Sequence, residues 1–335
     1  MEILKVEKTH WTTTDIQKIY HLEERISKQT LLNAEERGEI PKAQRIVRGK
    51  VKVRAWKLDQ LPDIGKKYGF LSKPKKQLII CVFVQKGGVL KTTTSQNLAR
   101  ILALNGIKTL IIGTDYECSI TDLILPKKDI VSLTDLDSPI GLYHYFEQNA
   151  PIKDIIVKTN LPTLDIIPET HDLNLLEKKL RHEKRREYLF KDKLLPDLSD
   201  YDVIIFDNGP GWNLLIENVL TASTIIISPL GCTLLAYKAV QTNISSIQEF
   251  AEEMKLQWQY IMVATLLDNS GISQQIYGRY LDKFTPNIIP TPIRTSSKGQ
   301  EAQANRQSIL EYAPTSNLAN DYFSIVTTMW DRLTK

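Results

Sequence analysis

The sequence predicts an α/β protein whose larger part is a doubly wound, mostly parallel sheet with helices on both faces, preceded by a small, basic, largely helical domain. Two observations predict this. Short apolar runs, LIICVFV (78–84), KTLIIG (108–113), TLDIIP (163–168), DVIIFD (202–207), STIIISP (223–229) and YIMVATLL (260–267), alternate with longer helical patterns. Unbroken Val/Ile/Leu runs are the mark of strands buried on both faces, as in a parallel sheet. The second observation is the cluster LSKPKKQ (71–77), in which a proline and like charges replace any apolar period, so it reads as a linker. It divides the chain into a domain over 1–75 and a domain over 76–335.

With 335 residues, 42% of them apolar, the chain is long enough to bury a sizeable core. No stretch approaches the roughly 18 apolar residues of a membrane span, and the start MEILKVEKTHW lacks the apolar centre of a signal peptide. The expected place is the cytoplasm, with no membrane partner. Cys81, Cys118 and Cys232 are too few for a disulfide framework and have no metal-ligand spacing, which argues against a cluster-bearing electron carrier. The charge is uneven: residues 1–77 carry 18 Lys/Arg against 10 Asp/Glu, and the remainder carries 25 against 29. A basic front suits a polyanion such as nucleic acid, although solvated surface lysines give the same count.

The first apolar run leads directly into QKGGVLKTTT (85–94), and a helical pattern, SQNLARILALNG, follows at once. A phosphate-binding loop belongs at such a place. Glycines let backbone N–H groups close round phosphate oxygens, the helix start adds positive potential, and Lys-Thr offers an ammonium to phosphate and a hydroxyl to Mg²⁺. A plain glycine turn between strand and helix is the alternative, but it has no need of Lys-Thr. The common pattern G-x-x-x-x-G-K-[ST] is absent, because Gln85 and Leu90 hold its glycine positions; the loop has the form K-G-G-x-x-K-[ST].

That form resembles the deviant Walker A box of the ParA/MinD family. The resemblance continues in order and spacing: LIIGTDYE (110–117) is similar to the family's second acidic strand, YDVIIFDNGPG (201–211) to its Walker B strand, and the run Ile289–Tyr322, with IPTPIR, EAQ, SILEYAP and LANDY, to its carboxy-terminal segment. It implies a P-loop ATPase using ATP/ADP and Mg²⁺. Lys86, Gly87, Gly88, Val89, Leu90, Lys91, Thr92 and Thr93 would surround the phosphates, with Lys86 reaching the nucleotide of a second subunit and Lys91 holding the β- and γ-phosphates. Thr92 would ligate Mg²⁺ with Asp207 in its outer shell, Asp115 would stand beside the metal and orient the attacking water, and Pro292 and Ile293 would lie at the adenine. Either aspartate could instead cap a helix or turn. Two positions depart from the family: Leu90 stands where glycine is usual, and Gly113 where aspartate is usual. Both lie by the phosphates, so slow intrinsic hydrolysis is expected.

In the front domain, Thr12-Thr-Thr14 before Asp15 reads as a capped helix start, and Ser27 to Arg37, ended by Gly38, as a second helix. Ile40-Pro41, Arg45, and the alternating stretch Arg48 to Arg54 follow, suited to a basic strand pair, and then Trp56. The succession resembles the winged helix-turn-helix of MerR-type regulators. It implies that Lys28, Gln29, Thr30 and Asn33 face a DNA major groove, that Arg37, Arg45, Arg48, Lys50 and Lys52 grip backbone or minor groove, and that Leu31, Leu32 and Trp56 are core. A helical dimerisation appendage with a solvated basic face is the alternative.

The ParA resemblance further implies a homodimer, nucleoid DNA held without sequence preference through Arg294 with Arg279, Lys298 and Arg306 nearby, and a centromere-bound ParB-like partner that stimulates hydrolysis. Larger plasmid partition ATPases with such a front extension repress their own operon. Two rivals stay open. One is a repressor whose nucleotide domain is a non-hydrolysing scaffold; the other is a MinD-like regulator cycling on membranes, for which the ending YFSIVTTMWDRL carries apolar residues at helical spacing but little basic charge.

Overall fold

A computed structural model describes residues 8–125 and 140–334. The front unit begins with β1 (His10–Thr12) and α1 (Thr13–Ile19), where Thr12 and Asp15 close a reciprocal capping box. The helix α2 (Lys28–Glu36) starts at Ser27, whose hydroxyl accepts from the Thr30 N–H at 3.1 Å, and ends before Gly38 at φ +70°. A hairpin of β2 (Gln44–Arg48) and β3 (Val51–Lys57) follows, and β1 joins it in the antiparallel order β1-β3-β2. Arg54 on β3 pairs with Glu35 (3.2 Å) and Glu36 (3.0 Å), which fixes the hairpin against α2. The unit closes with α3 (Leu61–Tyr68).

Beyond it lies an eight-stranded sheet in the order β11-β10-β9-β4-β8-β5-β7-β6. The six apolar runs become β4 (Leu78–Val82), β5 (Thr109–Gly113), β7 (Leu164–Ile167), β8 (Val203–Asp207), β9 (Ile225–Gly231) and β10 (Gln259–Leu267), all parallel. The edges came as additions: β6 (Val157–Lys158), antiparallel to β7, and β11 (Ile288–Arg294), parallel to β10. Pro290 and Pro292 hide β11 from a sequence reading, and an edge strand is where a sheet tolerates proline. Helices cover both faces, and the buried side chains above and below the sheet form separate apolar clusters. Among the described residues, no helix is long and apolar enough to cross a membrane.

The stretch 71–77 carries no helix or strand, yet it is held along its length. The N–H groups of Phe70 and Leu71 donate to Asn105 Oδ1 (2.8 and 3.1 Å), Trp330 Nε1 donates to the Ser72 carbonyl (2.9 Å), and Gln77 Nε2 donates to the carbonyls of Leu198 and Tyr201. The cluster that contains Ile16, Trp56 and Ile64 of the front unit continues into Leu98, Leu102 and Trp330. The two units share one core.

Candidate nucleotide site

The chain leaves β4 at the carboxyl edge of the sheet, where doubly wound proteins bind ligands. The loop 85–90 turns back and opens α4 (Lys91–Leu104). Two residues hold left-handed backbone there, Gly88 at φ +71° and Leu90 at φ +67°. Leu90 thus takes the conformation that glycine adopts without cost, at about 1 kcal/mol for a side-chain-bearing residue. Lys91 is 7% exposed and donates from Nζ to the Lys86 carbonyl (2.9 Å), while the Thr265 hydroxyl on β10 holds the Val89 carbonyl (3.1 Å). Burial pulls the Lys91 pKa down, and the charges of Asp207, Asp115 and Glu117 oppose that pull.

Asp207 ends β8 and is fully buried. Its Oδ1 accepts from the Ser95 hydroxyl at 2.6 Å, and Oδ2 makes no bond of good geometry, although the Thr92 hydroxyl stands close enough to the carboxylate to be felt by it. Burial pushes its pKa up to about 6, against the hydroxyls of Ser95 and Thr92. Asp115, just past β5, accepts the Glu117 N–H (3.2 Å) and lies against Gly209, where a Cβ would meet its Oδ1 at 2.9 Å. Thr114 ties the two strand ends, its hydroxyl lying 2.7 Å from Asn208 Oδ1 and 3.0 Å from the Asp207 carbonyl.

A wrapped loop with a buried ammonium, a threonine hydroxyl and an unpartnered carboxylate oxygen is a donor set of hard oxygens and a cation. It fits a nucleotide triphosphate with Mg²⁺. Next to it a cavity of about 140 Å³ is lined by Leu90, Thr93, Asn97, Ile293, Gln303 and Tyr322, of a kind to take a base. Ile293 lines this cavity and Pro292 does not. Ser95 was not singled out by the sequence, although it stands one helical turn beyond Lys91, on the same face, and a turn of α4 is enough to find it.

The residues expected at a nucleotide, Lys86 to Thr93, Asp115 and Asp207, follow or end the neighbouring parallel strands β4, β5 and β8 at this one edge. In the front unit, Lys28, Gln29, Thr30, Arg37, Arg45, Lys50 and Lys52 are exposed, and Asn33 is half-buried, accepting from Gln29 Nε2 at 2.8 Å. Lys28 and Arg45 line one depression with Thr13, Thr14 and Arg54, so the start of α2 and the hairpin share a face. Arg48 closes β2, and its side chain lies outside the described residues. Leu31 and Trp56 are core, whereas Leu32 is only half-buried because it opens onto that depression. The four basic residues expected at a second DNA surface each have an internal contact. Arg294 is clamped by buried Asp321, Nε to Oδ2 at 2.9 Å and Nη2 to Oδ1; Lys298 pairs with Glu301 (2.7 Å), Arg306 Nε donates to the Asp122 carbonyl (2.9 Å), and Arg279 lies 5.7 Å from the Tyr237 ring.

The fold and this site define a P-loop nucleotide-binding protein, and residues 77–260 match the family described as AAA domain. The sporulation initiation inhibitor protein Soj of Bacillus subtilis (strain 168) is 30% identical over 254 residues, 74% of this chain and 96% of that protein. The chromosome partitioning protein ParA of Myxococcus xanthus (strain DK1622) is 29% identical over 224 residues, 65% of this chain and 77% of that protein. Two solved structures are similar in fold. A plasmid partition protein of Borrelia burgdorferi B31 bound to AMPPNP has a TM-score of 0.63 at 22% identity, covering 77% of this chain and all of that one. Cobyrinic acid a,c-diamide synthase of Mycobacterium smegmatis, with ADP and magnesium, has a TM-score of 0.56 at 26% identity, covering 69% and 91%. The chain belongs to the ParA/Soj-type P-loop ATPases.

Proposed function

We propose that the chain is a DNA partition ATPase that acts as an ATP-dependent homodimer in the cytoplasm, on the nucleoid. The observation that carries this reading is Lys91 and Thr92 at the head of α4, set against the unpartnered buried oxygen of Asp207. Lys91 holds the phosphates and Thr92 and Asp207 hold Mg²⁺, which supplies charge neutralisation for phosphoryl transfer. Asp115 orients the attacking water, and Lys86 reaches the nucleotide of a second copy. Such chemistry is governed by positioning and charge, so the left-handed Leu90 beside the phosphates keeps intrinsic turnover below about one per second.

In the ATP state the dimer holds DNA without sequence preference, Arg294 exchanging Asp321 for phosphate with Arg279, Lys298 and Arg306 close by. A ParB-like centromere-binding protein stimulates hydrolysis and release. Movement follows from the different DNA affinities of the two nucleotide states. Residues 1–75 act as a winged helix-turn-helix on an operator, with α2 in the major groove and the β2–β3 hairpin as the wing, and so repress the protein's own operon; ADP or the empty state favours this role. Alanine at Gln29 and Asn33 should cost about 1–3 kcal/mol of discrimination between operator and random duplex.

Co-sedimentation with random DNA in ATP, ADP or no nucleotide tests the reading. Retention with ATP alone, lost in Arg294→Glu while operator binding persists, is expected; retention indifferent to nucleotide overturns it. Binding of ATP with no phosphate release, even with DNA, would instead favour a repressor on a non-hydrolysing scaffold, the reading that Leu90 and Gly113 keep open.

A further inference from the structure

Two residues beyond the end of β7, Glu169 is 1% exposed. Its Oε2 accepts from both the N–H and the hydroxyl of Thr121, each at 3.1 Å, and the Glu169 N–H donates to the Thr121 hydroxyl at 2.9 Å. Oε1 has no partner at all. A buried polar atom without a partner costs about 1–3 kcal/mol, more when charged, so the bare oxygen calls for a hydrogen-bond partner that the folded chain does not itself provide.

The location of that oxygen says which partner. A Cβ on Gly113 would meet the Glu169 carboxyl carbon at 2.5 Å and Oε1 at 2.8 Å, closer than a side chain is accommodated. Position 113 is glycine because the Glu169 carboxyl already fills its side-chain space. Gly113 stands opposite Asp207 in the β5–β8 register, two residues before Asp115; burial first, and then the charges of Asp207 and Asp115, push the Glu169 carboxyl pKa well up. The oxygen therefore borders the nucleotide site.

We propose that Glu169 is a positioning residue of this site: from the end of β7 it supplies the carboxyl that β5 lacks at position 113, holds the helix Ser119–Ile124 beyond Asp115 through Thr121, and leaves Oε1 to hydrogen-bond a water that arrives with the nucleotide. The inference rests on the ATPase reading. It makes Gly113 and Glu169 one unit, in which a carboxyl can come from either position but not from both.

Phosphate release, ATP affinity by calorimetry and thermal unfolding would be compared for the parent, Glu169→Gln, Glu169→Ala, Gly113→Asp and the double variant Gly113→Asp/Glu169→Ala. Glu169→Gln, nearly unchanged in shape, should fold and bind ATP within about three-fold of the parent, yet turn over about ten-fold more slowly. Gly113→Asp alone should melt about 5 °C lower, and adding Glu169→Ala should recover that loss. The double variant should hydrolyse ATP faster than Glu169→Ala. Parental turnover in Glu169→Gln, or additive losses in the double variant, overturns the inference and leaves the ATPase reading standing. A parent that takes up no ATP overturns both.

Discussion

The two ends of α4 are finished differently. At its head, the Lys91 ammonium reaches a carbonyl of its own loop, and the Asp207 Oδ2 beside it makes no bond of good geometry. At its tail, the Leu104 carbonyl lies 3.1 Å from the Tyr20 hydroxyl and against Gly65, and Asn105 caps Phe70 and Leu71 while donating to the Ile101 carbonyl. One end keeps polar atoms open at a desolvation cost that a ligand removes; the other closes the Leu104 carbonyl and Asn105 Oδ1 against the front unit. A helix of 14 residues thus joins a binding end to a packing end.

The largest loss of stability is expected from the ion pair that seats the middle of α4. Midway along α4, Arg100 is fully buried against Glu311, Nη2 to Oε1 at 2.7 Å and Nε to Oε2 at 2.8 Å, and the Glu311 carbonyl takes the Trp11 indole N–H. Glu311→Ala leaves a buried charge alone and should lower stability by about 3–5 kcal/mol in urea unfolding. Lys91→Ala should do the reverse: ATP affinity falls by about 2–3 kcal/mol, or 30- to 150-fold, in calorimetry. Stability should hardly change, because burial already disfavours that ammonium.

Smaller effects are expected from the glycines near the two ends of α4. Gly65→Ala would drive a Cβ onto the Leu104 carbonyl, with Leu104 C at 2.8 Å, and should cost about 1–3 kcal/mol in unfolding. Gly87, in the loop, has nothing within 4 Å, so the same substitution there should be near neutral for stability. For the binding end alone, pH is the probe. The raised Asp207 pKa favours the nucleotide-free folded state while the carboxyl is protonated, so its contribution is complete below about 3.9 and is lost as pH rises through about 6. Magnesium needs the carboxylate, so ATP·Mg²⁺ affinity should fall up to ten-fold per unit below pH 6, with up to one proton released on binding there and none well above pH 6. The smallest effect is expected from Leu90→Gly, which relieves a left-handed backbone at φ +67° and should raise turnover a few-fold.

Most of the sheet was legible because a strand buried on both faces writes its environment into consecutive residues: β4, β5, β7, β8, β9 and β10 each announce themselves. The loop and the helix caps at Thr12 and Ser27 were legible for a similar reason, being contacts among residues three or four apart. β11 was not, since its prolines suit an edge that only the assembled sheet defines. Nor was the stretch 71–77, whose lysines and proline read as a free tether while its backbone is bound by Asn105 and Trp330 from elsewhere in the chain.

The sequence by itself determined the doubly wound architecture, the place of the phosphate loop and the two unusual residues beside it. Tertiary structure decided what those residues mean. Gly113 is a missing carboxylate when read along β5, and a seat for the carboxyl of Glu169 once β7 is folded beside it. Arg294 is a free cation in a string of letters, and half of an ion pair once the helix Asn317–Thr334 brings Asp321 to it. Local chemistry travels with the residue and its neighbours; a space, a partner or an unmet oxygen exists only where distant segments meet.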